Sequence, residues 1–246
     1  MGSMVRKAVV LAAGKSTRIA SLAGGLPKPL IEIDGEAVLA RNLRWLSEGG
    51  IEEVWINLHY RPEVIRQRIG DGSRLGVRVY YAHEREILGT AGGVRRIASE
   101  WVETFLVLYG DSLVRVNLEL IQQAHRESGA PVTIGLFDRS RHPNTAIAGG
   151  IVTLDSDGRL ATFNEGAEAA ASSLVNSGLY LIEPEIVARI PSESFYDFGR
   201  DLFPQLLASR TPINGHVIEG YCLGIDTPEA YRQALRLIDE GTVKLG

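Results

Sequence analysis

Short apolar runs alternate with helix-like stretches along the first half of the chain. The apolar runs lie at 8–11, 54–58, 77–82, 105–109 and 132–136. Apolar side chains recur at helical spacing at 37–48, 62–69, 92–99 and 118–127. This alternation predicts parallel strands joined by right-handed helical crossovers. The runs at 8–11 and 105–109 are almost continuously apolar, which favours central strands covered on both faces.

The pattern changes from about residue 145. Short β-type runs dominate there, at 148–154, 160–163, 174–182 and 213–218. A closing helix is predicted at 228–239, with Thr227 as its N-cap and Pro228 at its first position. The whole pattern predicts an α/β fold, in which a mostly parallel central sheet is flanked by helices and extended by a smaller β region. Because no linker interrupts it, we expect a single domain over 4–246.

Polar residues follow two of the predicted central strands. The turn 14–18 follows the first strand, and Gly110 and Asp111 follow the strand at 105–109. Ligands of such sheets bind beyond the carboxyl ends of the strands. The first turn offers a glycine, two hydroxyls and two cations, which suits a polyphosphate. Lys28, between two prolines, lies on a stiff loop.

Two simpler interpretations of these residues compete with a nucleotide site. Residues 14–17, Gly-Lys-Ser-Thr, copy the end of a Walker A motif, but that motif needs a glycine where Val9 stands. A P-loop kinase is therefore disfavoured. Asp111 either caps the turn toward Leu118 or faces the ligand. Beside a triphosphate a carboxylate needs a cation, and Mg²⁺ bound by carboxylates and phosphate oxygens supplies one.

The segment Leu-Ala-Ala-Gly-Lys-Ser-Thr-Arg at 11–18, followed by Pro-Lys-Pro-Leu at 27–30, resembles the signature of sugar-1-phosphate nucleotidyltransferases. That family usually has glycine where Ser16 stands. The resemblance continues through 88–93, 107–112, 175–180, 196–204 and 226–231. It looks most like the bacterial mannose-1-phosphate and heptose-1-phosphate guanylyltransferase branch. It implies a Rossmann-like core that binds nucleotide, mainly 4–144, and a sugar-side region with the closing helix, mainly 145–246.

The resemblance also implies a reaction. A sugar 1-phosphate and an NTP, with GTP favoured over UTP, CTP, ATP or dTTP, would give an NDP-sugar and pyrophosphate with Mg²⁺ as cofactor. Arg18 and Lys28 would be catalytic. The residues implied in nucleotide binding are Leu11, Ala12, Ala13, Gly14, Lys15, Ser16, Thr17, Glu84, Gly89, Thr90, Ala91 and Gly92. Glu84 suits the donor edge of guanine, although a solvated loop glutamate is an equal alternative.

The residues implied in sugar binding are Tyr109, Gly110, Gly149, Glu165, Asn176 and Arg200. The family often has Glu-Lys-Pro at the first sugar site, where this chain has Glu165, Gly166 and Ala167. A cation for the sugar phosphate is therefore missing. Either Arg200 or Arg139 replaces it, or the sugar differs.

Asp111 and Asp226 are the implied metal ligands. The family usually reads Trp-x-Asp-Ile-Gly-Thr-Pro near the second one, whereas this chain has Gly224, Ile225 and Asp226, so aspartate and glycine have exchanged places. In an extended segment, residues two apart share a face, so Asp226 still reaches the cleft. Its alternative is a helix cap with no role in metal binding.

Two other functional classes stay open from the sequence. The exchanged aspartate and the missing lysine are compatible with a catalytically silent regulatory relative that binds nucleotide sugars. A nucleotide-sugar glycosyltransferase would share the aspartate at the strand end, but would not need Lys28 for a triphosphate.

The composition of the chain excludes several classes of binding partner. The net charge of −4 offers no general basic field for nucleic acid or an anionic membrane. The single cysteine, Cys222, cannot form an internal disulfide, which favours a reducing, cytoplasmic setting. No apolar run reaches the roughly 20 residues of a membrane span. The expected partners are small-molecule substrates, and a homo-oligomer is left open.

Overall fold

The computed structural model describes residues 4–15, 19, 24–142, 149–165 and 172–245. Its strands are β1 Lys7–Leu11, β2 Glu32–Ile33, β3 Glu36–Ala37, β4 Glu53–Leu58, β5 Arg78–His83, β6 Phe105–Tyr109, β7 Ser112–Val116, β8 Val132–Asp138, β9 Ile151–Leu154, β10 Leu160–Asn164, β11 Leu174–Ile182, β12 Ile213–Val217 and β13 Gly220–Gly224.

Its α-helices are α1 Val38–Glu48, α2 Pro62–Ile69, α3 Gly89–Ala98, α4 Leu118–Ser128, α5 Pro184–Val187, α6 Phe203–Ala208 and α7 Pro228–Asp239. Short 3₁₀ turns lie at Lys28–Leu30 and Ser73–Leu75, and a π-helical turn at Phe198–Leu202 leads into α6. The Thr227 side chain accepts a hydrogen bond from the Ala230 N–H, which confirms the predicted cap of α7.

The core of the large sheet is parallel. Strands β6, β1, β4 and β5 lie side by side in that order, and each neighbouring pair is parallel. Ala8 and Val10 of β1 pack into the cluster beneath α1 and α2, whereas Val9 and Leu11 pack with α3 on the other face. This alternation confirms the prediction of an α/β fold with a central sheet flanked by helices.

The strand at Val132–Asp138 departs from the predicted parallel alternation. Strand β11 pairs antiparallel with β6 and also antiparallel with β8, so it lies between them. Strand β12 pairs with β8 in parallel. Strand β9 pairs with β11 where Ile151 meets Val175, and β10 pairs antiparallel with β9. The second half of the chain therefore supplies the added β region, as the change of pattern predicts.

A small antiparallel sheet of β7 and β13 was not predicted. Asp111 directly precedes β7 and Asp226 follows β13, so this sheet brings the two predicted metal ligands together. Its register pairs Gly224 with Ser112 and Cys222 with Val114. Leu113 and Leu223 from this sheet pack with α7 in a separate apolar cluster. Among the described residues, no helix is long and apolar enough to cross a membrane.

Candidate active site

A cleft of about 270 Å³ opens beyond the carboxyl end of β6. Eight of the predicted site residues line it, and they come from both halves of the chain: Thr90, Tyr109, Asp111, Gly149, Glu165, Asn176, Arg200 and Asp226. The structure therefore brings the predicted metal ligands and most of the predicted sugar ligands to one place.

A charged cluster beside the cleft joins three distant parts of the sequence. Asp111 lies in the turn between β6 and β7, and Asp226 lies between β13 and α7. Because Ser112 pairs with Gly224, the chain segments just outside that pair meet. The Lys28 Nζ lies 2.8 Å from the Asp111 Oδ2 and forms an ion pair with the Asp226 Oδ1. One ammonium group thus bridges two carboxylates.

The local sequence explains why Lys28 is held so firmly. It begins a 3₁₀ turn between Pro27 and Pro29, in which the Leu30 N–H donates to the Pro27 carbonyl at 2.8 Å. Lys28 is only 7% exposed. A lysine this deeply buried needs anionic partners, and the two carboxylates supply them.

Asp111 and Asp226 together fit a magnesium ion. Mg²⁺ is usually bound through one or two carboxylates and substrate phosphate oxygens, with water completing its shell. Two converging carboxylates at the mouth of a cleft match that donor set. The structure offers no group of three or more His, Cys, Asp and Glu side chains among the described residues, so a site built wholly from protein ligands is not found there.

The exchange of glycine and aspartate leaves a carboxylate in the cleft. Strand β13 ends at Gly224, Ile225 is fully buried, and Asp226 then lines the cleft, with a side chain that is 25% exposed. The N-cap of α7 is Thr227 and not Asp226, because the Thr227 Oγ1 accepts from the Ala230 N–H at 3.2 Å.

A buried tyrosine and amide network lies among the residues predicted to bind the sugar. The Asn176 Nδ2 donates to the Tyr180 hydroxyl at 2.8 Å, and its Oδ1 accepts from the Gly178 N–H at 3.0 Å. The rings of Tyr109 and Tyr180 meet edge to face. Burial raises the pKa of Tyr109 to about 12, so its hydroxyl stays protonated and can donate at neutral pH.

Glu165 occupies space that two glycines leave open. A Cβ at Gly199 would lie 2.3 Å from the Glu165 Oε2, and one at Gly150 would lie 3.1 Å from it. Burial raises the pKa of Glu165, while the positive charge of Arg200 opposes that rise and Asp197 adds to it. Of the two arginines predicted to replace the family lysine, Arg200 lines the cleft. Gly166 and Ala167 lie outside the described residues.

The small residues at the start of α3 pack closely against another part of the chain, and the role of Gly89 and Gly92 in nucleotide binding stays a prediction. The Tyr196 carbonyl accepts from the N–H groups of Ala91 and Gly92 at 2.9 and 3.0 Å. A Cβ at Gly89 would lie 2.6 Å from that carbonyl oxygen. Close approach by residues 194–197 explains these glycines.

Thr90 links this helix start to the cleft. Its N–H and its hydroxyl both donate to the Asp197 Oδ1, at 3.0 and 2.9 Å. The Thr90 Oγ1 also accepts from the Phe198 N–H at 2.9 Å. Asp197 therefore satisfies a free N–H at the amino end of α3 while lining the cleft itself.

Glu84 lies beneath the predicted nucleotide loop, in a buried hydrogen-bond network. It is fully buried, and its two oxygens accept from the Asn57 Nδ2 at 2.8 Å and the Leu88 N–H at 3.1 Å. The Asn57 Oδ1 in turn accepts from the Ala12 N–H at 2.7 Å. The alternative of a solvated glutamate is wrong, because Glu84 belongs to a buried network that ties the first turn to α3. Its role as a base ligand stays a prediction.

The remaining predicted residues divide into packed and open positions. Leu11, Ala12 and Ala13 are buried, whereas a Cβ at Gly14 would meet nothing within 4 Å and Lys15 is exposed. Gly110 is needed by packing, because its Cβ would lie 2.8 Å from the Val10 Cγ1. The predicted ligands outside the described residues are Ser16, Thr17 and Arg18.

Sequence reasoning missed several residues that line the cleft: Ser112, Ser177, Gly178, Asp197 and Gly199. All five lie in segments that carry the family resemblance, at 107–112, 175–180 and 196–204, so those segments were a usable signal. Without the resemblance nothing marks the two serines, since each is a small polar residue inside or beside an apolar strand.

Comparison with known proteins identifies the family of the chain. Residues 7–240 match the Nucleotidyl transferase family. The chain is 34% identical to UTP–glucose-1-phosphate uridylyltransferase of Synechocystis sp. over 244 residues, covering 94% of this chain and 62% of that protein. It is 34% identical to mannose-1-phosphate guanylyltransferase of Mycobacterium tuberculosis, covering 91% of this chain and 62% of that protein. The chain thus spans less than two thirds of these relatives.

A shorter relative and a solved structure are matched along their whole length. UTP–glucose-1-phosphate uridylyltransferase AglF of Haloferax volcanii is 30% identical, over 97% of this chain and 98% of that protein. The crystal structure of HddC from Yersinia pseudotuberculosis has a TM-score of 0.79 at 23% identity, covering 95% of this chain and 100% of that one. HddC has also been solved with GMP-PN. By its sequence and its fold, the chain belongs to the nucleotidyl transferase family.

Proposed function

We propose that this chain is a sugar-1-phosphate nucleotidyltransferase. A phosphate oxygen of the sugar 1-phosphate attacks the α-phosphorus of an NTP and forms a new P–O bond. The bond from the α-phosphorus to the bridging oxygen breaks, and that oxygen leaves with the electron pair as part of pyrophosphate. The products are an NDP-sugar and pyrophosphate, and no covalent enzyme intermediate is needed.

The observation that carries this proposal is the bridge from Lys28 to Asp111 and Asp226. Both carboxylates line the cleft that Glu165, Asn176 and Arg200 also line. A transferase that joins two phosphorylated substrates needs charge at the point where they meet, together with hydrogen-bonding groups for a sugar beside it. The family membership of the chain supports the same assignment.

In this proposal each group near the phosphates has a role in positioning or in charge balance. Lys28 places a positive charge on the reacting phosphates, and Arg18 and the backbone N–H groups near Gly14 hold the triphosphate and then pyrophosphate. Asp111 and Asp226 would hold Mg²⁺, which when bound supplies positive charge at the α-phosphate. Such positioning and electrostatic stabilisation dominate phosphoryl-type transfers.

Residues from 145–246 supply most of the sugar side, and 4–144 supply the nucleotide side. Glu165 and Asn176 bind sugar hydroxyls, and the protonated Tyr109 hydroxyl can donate to the same ring. Arg200 faces the sugar phosphate in place of the lysine that the family often has after its glutamate. An arginine fork can bind two phosphate oxygens at once.

For the nucleotide and the sugar we propose GTP with mannose 1-phosphate or a related hexose or heptose. The resemblance to the guanylyltransferase branch and the M. tuberculosis relative support this choice. The relatives named as uridylyltransferases make UTP with glucose 1-phosphate the competing pair.

A pyrophosphate-release screen tests the proposal. Five NTPs are combined with a panel of sugar 1-phosphates, each with and without Mg²⁺. We expect release only when an NTP, a sugar 1-phosphate and Mg²⁺ are all present. Nucleotide binding without turnover for every pair would instead identify a silent regulatory relative. Transfer of sugar from an NDP-sugar without pyrophosphate would identify a glycosyltransferase.

A further inference from the structure

We propose that Lys28 and the divalent cation compete for the same two carboxylates, so that Lys28 acts as a built-in counter-ion which leaves Asp111 and Asp226 when metal binds. This inference rests on the proposed function for its assignment of the metal ligands. It adds an exchange between two cations, in which the lysine that later faces the phosphates first holds the metal site together.

The positions of the atoms carry the first step. One Nζ contacts both carboxylates, at 2.8 Å from the Asp111 Oδ2 and in an ion pair with the Asp226 Oδ1. Mg²⁺ binds its oxygen ligands at roughly 2.0–2.1 Å. A cation held by these two oxygens would therefore lie close to the Nζ. The ammonium and the metal would crowd and repel each other at the same two oxygens.

Charge balance carries the second step. Two carboxylates facing each other repel unless a cation lies between them. Lys28 reduces their joint charge from −2 to −1, whereas Mg²⁺ alone reduces it to zero. Adding the metal while Lys28 stays in place would set two cations against each other in a half-buried site, where screening is weak. Displacement of the ammonium removes that repulsion.

The stem of the lysine carries the third step. The 3₁₀ turn and the flanking prolines fix the backbone of Lys28, but its four-carbon side chain can swing its ammonium group. The cleft opens directly beside Asp111 and Asp226. A substrate phosphate there would offer the displaced ammonium a new anionic partner. Metal binding should therefore be weaker without nucleotide than the two carboxylates alone would allow.

The test measures metal binding without any substrate, so it does not depend on turnover. The affinity for Mn²⁺ is measured by electron paramagnetic resonance on the full chain and on Lys28→Met. We expect the variant to bind Mn²⁺ at least about fivefold more tightly, the low end of typical coupling between two ligands. The matched control is Lys7→Met, which removes the same charge at the start of β1, where Lys7 faces Glu103. It should leave the affinity unchanged.

A second variant covers the case in which Lys28→Met does not fold. Lys28→Gln keeps a hydrogen-bond donor beside the carboxylates but removes the charge, and it should also bind Mn²⁺ more tightly than the parent. In either folded variant, Mg²⁺ should raise the melting temperature more than it does in the parent. Adding Asp111→Asn to either variant should abolish the gain.

The outcomes separate this inference from the proposed function. Unchanged or weaker Mn²⁺ binding in the folded Lys28 variants would overturn the exchange, even if the parent makes pyrophosphate. Tighter binding in the variants of a protein that makes no pyrophosphate would support the exchange and overturn the proposed reaction.

Discussion

At the scale of single residues, three charges from distant parts of the chain meet beside the cleft. Lys28 is buried because Asp111 and Asp226 surround its ammonium group. Groups coupled this closely do not act independently, and removing one leaves a buried charge without its balance. Each substitution therefore affects both the charge balance of the site and the proposed reaction.

Lys28→Ala should lower kcat by about 10²–10³-fold, the cost typical of removing one preorganised group that stabilises a transition state. It should also lower the melting temperature in the absence of Mg²⁺, because two carboxylates then face each other unbalanced. Steady-state kinetics and thermal unfolding measure both effects. A folded variant with nearly normal kcat would remove Lys28 from the mechanism.

Asp226→Ala should raise the Mg²⁺ concentration needed for half-maximal activity and lower the maximal rate. Its melting temperature should change little, because Asp111 alone still balances the charge of Lys28 and Thr227 still caps α7. The neighbouring control Thr227→Ala should do the reverse: it should cost about 1 kcal/mol of stability and leave the Mg²⁺ dependence intact. If Asp226→Ala lost stability and kept its Mg²⁺ dependence, Asp226 would be structural.

At the scale of elements, a tightly packed junction ties the start of α3 to residues 194–197. The Tyr196 carbonyl and the Asp197 carboxylate accept the N–H groups at the amino end of the helix. Thr90 and Asp197 both line the cleft. The junction therefore links an element of the first half of the chain to one of the second. A substitution that disturbs its packing should affect the stability of both elements.

Gly92→Ala should destabilise the protein by about 1–3 kcal/mol, the typical cost of overpacking. Its new Cβ would lie 2.7 Å from the Ser194 carbonyl oxygen, so one of the two backbone segments would have to shift. The control is Gly14→Ala, where a Cβ would meet nothing within 4 Å. Urea unfolding compares the two. Equal free energies of unfolding for the two variants would show that the junction accommodates the extra methyl group at little cost.

A second element-scale prediction concerns pH. His125 of α4 is buried between the Thr133 hydroxyl and the Glu183 carboxylate, and burial lowers its pKa below 6.5. The unfolded chain therefore binds this proton more readily than the folded chain does. The free energy of unfolding should then decrease as the pH falls from 6.5 toward the pKa of His125 in the folded protein. His125→Gln should reduce this loss between pH 7.5 and 5.5, measured by urea unfolding. An identical loss in the variant would assign it to other groups.

The elements predicted from the sequence are those with strong local signals. The strand at Phe105–Tyr109 and the helices at Pro62–Ile69 and Pro228–Asp239 begin and end where the pattern placed them. Strand β13 was missed because it contains two glycines, which strands disfavour, and β7 because it follows β6 after a short turn at Gly110 and Asp111. Their pairing is long-range, so no local pattern reveals it.

The candidate site divides in the same way. Asp111 could be found because it follows an apolar central strand, where ligands of parallel sheets bind. The burial of Glu84 beside Asn57 could not, because it depends on a contact across 27 positions of sequence. The close approach of Tyr196 to Gly89 joins still more distant segments. Tertiary packing, and not propensity, decides the role of such residues.

At the scale of the whole molecule, an acidic protein is proposed to bind two anionic substrates. The chain carries a net charge of −4, so long-range attraction cannot concentrate nucleotides, and recognition must rest on local cations such as Lys28 and Arg200. The cleft lies between the parallel core and the added β region, so each substrate would meet a different half of the chain. This arrangement suits a reaction that joins two small molecules.

The most direct test is the product stoichiometry of the best substrate pair from the screen. NDP-sugar is measured by chromatography and pyrophosphate by a coupled assay, for the parent and for Asp111→Asn. We predict equal amounts of the two products from the parent and neither from the variant at the same Mg²⁺ concentration. Release of NDP and phosphate, or no product from any pair by a folded protein that binds NTP, would contradict the account.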